Sequence, residues 1–213
     1  MASTQNGSLW SMRPDEEMKF APTELEFLAE DEYVEIVPRF TFQEIELLSG
    51  TIGPFKPRTT VKVPLWFALQ LRERQMCIIQ LPEWLTRDQL SALKQEEERE
   101  KDSNLLATIP FHYQEIATLL LRYSPDSFSG VDGEARIQVK DVEEVRESKL
   151  HTSLRDVQEY SSVAKISNVG AMEINRIRPF LLNSMHRFRD LKAAEESFSG
   201  GGQSQSLDSQ GGL

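Results

Sequence analysis

The sequence predicts an α+β fold, with a small β-rich part at its N-terminal end followed by a mainly α-helical part. Three observations predict it. Short alternating or β-branched runs occur at 33–37, 42–48, 61–63 and 76–81, and none follows Pro82. Beyond Pro82, apolar residues recur at helical spacing instead. Turn dipeptides, Ser49-Gly50 and Gly53-Pro54, punctuate the first half.

Residues 1–21 are polar and irregular and read as a flexible arm. Thr23 with Glu26 has the capping-box spacing, and Leu25, Leu28 and Ala29 give a short apolar face, so a helix is expected over 24–31. Residues 33–37 alternate and stop at Pro38, and 42–48 is apolar at 42, 45, 47 and 48. Val61–Val63 is a third strand. Pro64 then opens a short helix in which Leu65, Trp66, Phe67, Ala68, Leu69 and Leu71 leave little polar circumference, as in a helix covered on several sides. Arg72 and Arg74 complement the dipole at its C-terminal end. The fourth strand, 76–81, carries the single cysteine, Cys77, which reads as a small buried hydrophobe. Four strands and two short helices over so short a stretch bury little surface, so this part is expected to lean on a neighbour.

In the second half, Thr86 is expected to cap a helix over 87–101, with Leu85, Leu90 and Leu93 inward. The charged run 96–102 reads as its solvated end, with Glu97 and Lys101 at i,i+4. Pro110 opens a helix over 111–123 with Ile116, Leu119, Leu120 and Tyr123 on one side, and a loop follows over 124–133. The longest helix, 134–162, has the stripe Val139, Val142, Leu150, Leu154, Val157 and Tyr160. Asn168 to Gly170 breaks it, 171–175 forms a short turn, and Pro179 suits the first position of a last helix, 179–192. There Leu181, Met185 and Phe188 repeat at helical spacing. The Gly/Ser/Gln-rich tail cannot bury enough to order itself. Its Ser204-Gln205 and Ser209-Gln210 dipeptides resemble checkpoint-kinase targets, although chance accounts for them more simply. The expected organisation is thus an arm (1–21), a β-rich domain (22–81), a helical domain (82–194) and a disordered tail (195–213).

Composition narrows the function classes. At 213 residues the chain can bury roughly 70% of its unfolded surface, enough for a real core. The formal charge of −10 repels duplex DNA. A lone cysteine forms no intramolecular disulfide, which fits a reducing compartment. No run approaches the roughly 18 apolar residues of a membrane span, and residues 1–18 lack the pattern of a secretory signal. Cytosol or nucleus is expected.

No motif carries chemistry. His112, His151 and His186 have no other His or Cys at ligand spacing. There is no nucleophile elbow and no phosphate-binding Gly-rich loop. Trp66 and Trp84 sit in apolar runs, which favours packing over base stacking. No catalytic, cofactor or metal residue is assigned. The positive signal is surplus apolar helix surface, as expected of a subunit in a stable heteromeric assembly. Leu65, Trp66, Leu69, Trp84, Leu119, Leu120, Leu150, Leu154, Val157 and Phe180 are the candidate interface or junction residues. The alternative is an autonomous nucleic-acid-binding module using the basic patch Lys56, Arg58 and Lys62.

Several runs resemble one family in order and spacing. In the first half they are Glu26-Phe-Leu-Ala-Glu30, Ile36-Val-Pro-Arg-Phe40, Gly53-Pro-Phe55, Val63-Pro-Leu-Trp66, Arg74-Gln-Met-Cys77 and Pro82-Glu-Trp84. In the second they are Val139-Lys-Asp141, Arg146-Glu-Ser-Lys-Leu150, Met172-Glu-Ile-Asn175 and Arg178-Pro-Phe180. Together they resemble the GINS family of eukaryotic DNA replication, in its second-subunit (Psf-two) branch, over about 24–192. Ile166-Ser-Asn-Val169 departs from that branch's Leu-Asp-Asn-Leu type of connector, and His151 stands where a basic residue is common. The resemblance implies a β-rich B domain before a helical A domain, and a heterotetramer held mainly by A-domain helices. It also implies nuclear membership of the replicative CMG helicase, with the minichromosome maintenance ring and the Cdc-forty-five cofactor as partners and a replisome polymerase as an indirect one. It implies no catalytic residue, no cofactor, no membrane and no small-molecule substrate.

Overall fold

A computed structural model describes residues 19–99, 106–128, 132–160 and 167–200, without the side chains of 132, 155–160, 188 and 195–200. These residues fall into two units, one being Phe20–Arg176 and the other Lys19 with 177–200.

Helix α1 (Pro22–Ala29) begins two residues before the expected start. Pro22 takes the first helical position, where its missing N–H is no loss. The preceding Ala21 has no side-chain acceptor, and its N–H donates instead to the Glu24 carboxylate at 2.7 Å. Glu26 is therefore free of the capping role that its spacing suggested.

Strand β1 (Tyr33–Pro38) is the centre of a three-stranded antiparallel sheet, flanked by β4 (Val61–Pro64) and β5 (Cys77–Ile79). Ile36 faces both Val61 and Ile79 across the sheet. Val34 and Ile36 are buried while Tyr33 and Glu35 are exposed, the alternation of a sheet covered on one face. The four strands expected from the sequence do not form one sheet. The run 42–48 supplies only β2 (Ile45–Leu47), which pairs with β3 (Gly50–Ile52) in a separate hairpin. A two-residue hairpin loop makes the next residue pair at once, so Gly50 begins the return strand rather than ending a turn. Phe42 makes an isolated bridge with Phe55. Phe55 follows a cis Gly53-Pro54 bond, with Gly53 at φ 110°, a value for which glycine is suited.

Helix α2 (Leu65–Glu73) joins the two outer strands and packs on the sheet and on α4. It has no side-chain cap. Its first amides are satisfied by the turn after α1: Leu65 N–H donates to the Glu32 carbonyl at 2.8 Å and Trp66 N–H to the Glu30 carbonyl at 2.9 Å. Its other end is a Schellman motif, with Gln75 at φ 58°. Gln75 N–H reaches the Arg72 carbonyl and Met76 N–H the Leu71 carbonyl.

The helical part comprises a 3-10 turn (Glu83–Leu85), α3 (Arg87–Arg99), α4 (Tyr113–Tyr123), a second 3-10 turn (Pro125–Phe128), α5 (Asp132–Tyr160) and the first residues of α6 (Ala171–Gly200). Thr86 turns its hydroxyl back to the Glu83 carbonyl at 2.8 Å, closing the 3-10 turn instead of capping α3. The short turn at 171–175 and the helix start at Pro179 are also corrected. Helix α6 is continuous from Ala171, with Pro179 inside it, and runs on to Gly200. Its start is secured elsewhere, because the Gly170 N–H donates to the Glu173 carboxylate at 2.7 Å, the glutamate half of a capping box. One contiguous core runs from Ala29 through the sheet and α2 to α4 and Val142 of α5.

Candidate assembly surfaces and the buried ionic anchor

The most ordered polar constellation lies where the helices meet. Helix α5 turns its apolar stripe inward, with Val142, Leu150 and Leu154 buried. Between Val142 and Leu150 that stripe passes through Arg146, whose side chain is 0% exposed. All three guanidinium nitrogens are used. Nε donates to Glu173 Oε1 at 2.7 Å and Nη1 to Glu97 Oε1 at 2.5 Å. Nη1 also reaches the Ala107 carbonyl at 3.1 Å, while Nη2 donates to Glu173 Oε2 at 3.1 Å and to the Asn168 carbonyl at 2.7 Å. Lys149 Nζ donates to the second oxygen of Glu97 at 2.9 Å. The Tyr113 hydroxyl donates to Glu173 at 2.7 Å, and its ring lies 5.5 Å from the Arg146 guanidinium carbon.

The network ties α3, α4, α5 and the start of α6 to one another. Asn168, at φ 60°, uses the left-handed conformation that asparagine tolerates, and its amide reaches the Leu106 carbonyl at 2.8 Å. Gly170 is required by contact, since a Cβ there would stand 2.9 Å from the Tyr113 ring. Burial alone would lower Arg146 and raise Glu173. Their mutual charge and hydrogen bonds reverse both, holding the arginine above and the carboxyl below their ordinary values. Burial and the Glu173 charge push the Tyr113 hydroxyl well above the usual phenol range. Glu115 is the exception. It is 1% exposed, and neither carboxylate oxygen has a hydrogen-bond partner. Burial raises its carboxyl, and the nearby N–H groups of Glu115 and Met172 oppose this without reaching hydrogen-bond geometry.

Sequence reasoning missed this anchor and placed Glu97 on a solvated helix end. Glu97 is 0% exposed and bonded to Arg146 and Lys149; the proposed partner Lys101 lies outside the described residues. The signal was present. Glu97 continues the Leu90, Leu93 face of α3, and Arg146 fills the missing turn of the α5 stripe.

The candidate interface residues separate into groups. Leu65, Leu69, Leu119, Leu120, Leu150 and Leu154 are enclosed by the chain's own atoms. The expected surplus on α5 is therefore absent over its described stripe, and Val157 lies outside the described side chains. Trp84 is half-buried against the core. Trp66 is half-buried, packed edge-on to Phe67 at 5.5 Å, and neither enclosed nor an open stacking platform. It lines a cleft of about 750 Å³ with Phe27, Glu30, Asp31, Leu69, Glu73 and Tyr123. Phe180 is 46% exposed on α6, where Met185 and Leu191 are also exposed. At 3.6 residues per turn these three fall within one arc about 140° wide, together with Leu181.

Lys56 and Arg58 are exposed in the loop before β4, and Lys62 pairs with Glu35 at 3.7 Å on the sheet. Cys77 is fully buried beside the Ala68 carbonyl, and burial pushes its thiol up to about 11. His112 faces Glu32 at 3.2 Å, and no metal-ligating group of three or more His, Cys, Asp or Glu occurs among the described residues.

Comparison with known proteins is consistent along the chain. Residues 21–80 match the family model described as PSF2 N-terminal domain, and residues 84–192 match the GINS complex protein helical bundle domain. The chain is 37% identical over 175 residues to the Schizosaccharomyces pombe protein named DNA replication complex GINS protein psf2, covering 82% of this chain and 92% of that one. It is 39% identical to the Xenopus laevis PSF2 protein, over 81% of this chain and 92% of that one. The human PSF2 protein is 38% identical, over 78% and 90% respectively. With matches to both family models and this identity over most of its length, the chain belongs to the PSF2 family of GINS DNA-replication-complex proteins.

Proposed function

We propose that the chain is a non-enzymatic structural subunit of the heterotetrameric GINS complex, built in with three related subunits. In this reading GINS is a component of the CMG helicase, needed for initiation and elongation of chromosomal replication in the nucleus. The minichromosome maintenance ring and the Cdc-forty-five cofactor are then its further partners, and a replisome polymerase an indirect one. The division into a B-type part, 22–81, and an A-type part, 82–194, belongs to the same proposal, as does use of Trp66 and Phe180 at contacts.

One observation carries the reading. A 30-residue helix, α6, keeps Phe180, Met185 and Leu191 on one exposed arc. Such an apolar face on a long helix is the feature by which helical subunits associate. Supporting it, the buried polar groups next to the α6 start are spent on holding helices together.

The test is co-expression with the three sister subunits of the same organism. A soluble 1:1:1:1 complex is expected on gel filtration, and Phe180→Asp with Met185→Asp should remove the chain from it. A well-behaved monomer that ignores the other three would sink the proposal.

A further inference from the structure

The cleft lined by Phe27, Trp66 and Tyr123 is a prebuilt site with a specific charge. Its two main walls are locked together through the backbone, since Trp66 N–H donates to the Glu30 carbonyl and Leu65 N–H to the Glu32 carbonyl. Its third wall, α4, is held by Arg122, which grips Glu26 of α1 through both carboxylate oxygens at 3.0 and 3.1 Å. The floor is apolar and aromatic, and Phe27 is 70% exposed beside it.

The rim is acidic. Glu30, Asp31 and Glu73 border the cleft, and none of the three makes an ion pair among the described residues. Partial burial and the charges of Glu26 and Asp31 raise the Glu30 carboxyl. An aromatic floor under carboxylates is the arrangement that receives a guanidinium or ammonium group, through ring faces and salt bridges together. The neighbouring depression shares Glu73 and Tyr123 with the cleft and adds Arg39, Arg72, Arg122 and Asp126, so arginines border the Glu73 side and a cationic guest fits at the Phe27–Trp66 end.

We propose that this cleft docks a basic segment of a partner protein, with an arginine or lysine side chain seated over the aromatic floor. The chain's own ends do not suit it. Residues 1–18 carry Arg13 against Asp15, Glu16 and Glu17, and residues 201–213 have no Lys or Arg. The proposal goes beyond assembly through α6: of the two contact residues named above it takes Trp66 for this guest and leaves Phe180 to assembly.

The experiment is fluorescence anisotropy on the full chain co-purified with its assembly partners. The probe is a labelled ten-residue peptide containing three arginines, compared with the same peptide carrying glutamines. The arginine peptide should bind, and weaken as salt rises. Combined Glu30→Gln, Asp31→Asn and Glu73→Gln should weaken it by about fivefold or more, and Phe27→Ala by a smaller factor. These residues are at the surface, so the variants should still co-elute with the complex. That separates failure of this site from failure of assembly. Equal binding of the glutamine peptide, equal affinity of the triple variant, or no binding at all would overturn the proposal. So would a self-associated dimer dispersed by the triple variant, which would make the occupant a second copy of this chain.

Discussion

Arg146 is the residue on which the helical part depends, because it pairs with two carboxylates enclosed in the core, Lys149 supplying the second positive charge. A buried ion pair adds little net stability compared with an apolar replacement of the whole, but removing one partner strands the other. Arg146→Met is therefore expected to destabilise the chain by about 3–5 kcal/mol in urea unfolding, and Arg146→Met with Glu97→Gln and Glu173→Gln to recover part of that loss. Two of the buried glutamates, Glu173 and Glu115, titrate in opposite senses. Glu173 has its carboxyl lowered in the fold, so its stabilisation is present above the unfolded carboxylate pKa and is lost as pH falls through the folded value. Glu115 has its carboxyl raised, so its favourable contribution is complete below the unfolded pKa and disappears as pH rises through the folded value. Glu115→Gln should consequently raise stability at pH 7, because the amide carries no charge to desolvate. The gain should vanish below the carboxylate range in pH-dependent melts, and a constant gain at every pH would refute the account.

At the scale of elements, caps explain where the sequence reading and the structure part. Both α1 and α6 begin with a glutamate at the third position reaching back to a preceding N–H, from Glu24 to Ala21 and from Glu173 to Gly170. The Thr23–Glu26 pair has the right spacing but lies two residues too late, because Pro22 had already set the helical φ. Pro179 misled in the other direction. A proline suits a first helical position, yet an interior one removes a single N–H, and a long helix that is capped well upstream tolerates that loss. Gln75 offers a direct check. It holds the left-handed position of a Schellman motif, where a side chain is strained and glycine is not. Gln75→Gly should stabilise the chain by roughly 1 kcal/mol in denaturant melts, whereas the same change at an ordinary helical site destabilises.

For the molecule as a whole, the core decides cooperativity. It is continuous from Ala29 in the first part to Val142 in the second, and α2 bridges them by touching both the sheet and α4. Residues 20–176 should unfold in one transition with coincident far-UV and tryptophan signals. A fragment ending at residue 82 should not fold alone, because Leu65, Ala68 and Leu69 would lose part of their cover. Two separate transitions would show that the parts are independent. Much of this plan was legible in the sequence. The order of β-rich and helical parts, the short strands around Val34, Ile36, Val63 and Ile79, and the inward stripe of α5 follow from side-chain period, which each segment carries within itself. The candidate site was less legible. Trp66 reads in the sequence as a packed residue and is half-buried in the fold, and its place in the floor of a cleft depends on Phe27 and Tyr123, which are far from it in sequence. What the sequence alone determined is the α+β class and the family, since these rest on local pattern and on the order of short runs. What only the tertiary structure decided is which charges are interior. Glu97 and Arg146 look like solvent residues in any window of sequence, and they become an anchor because α3, α5 and α6 converge to exclude water around them.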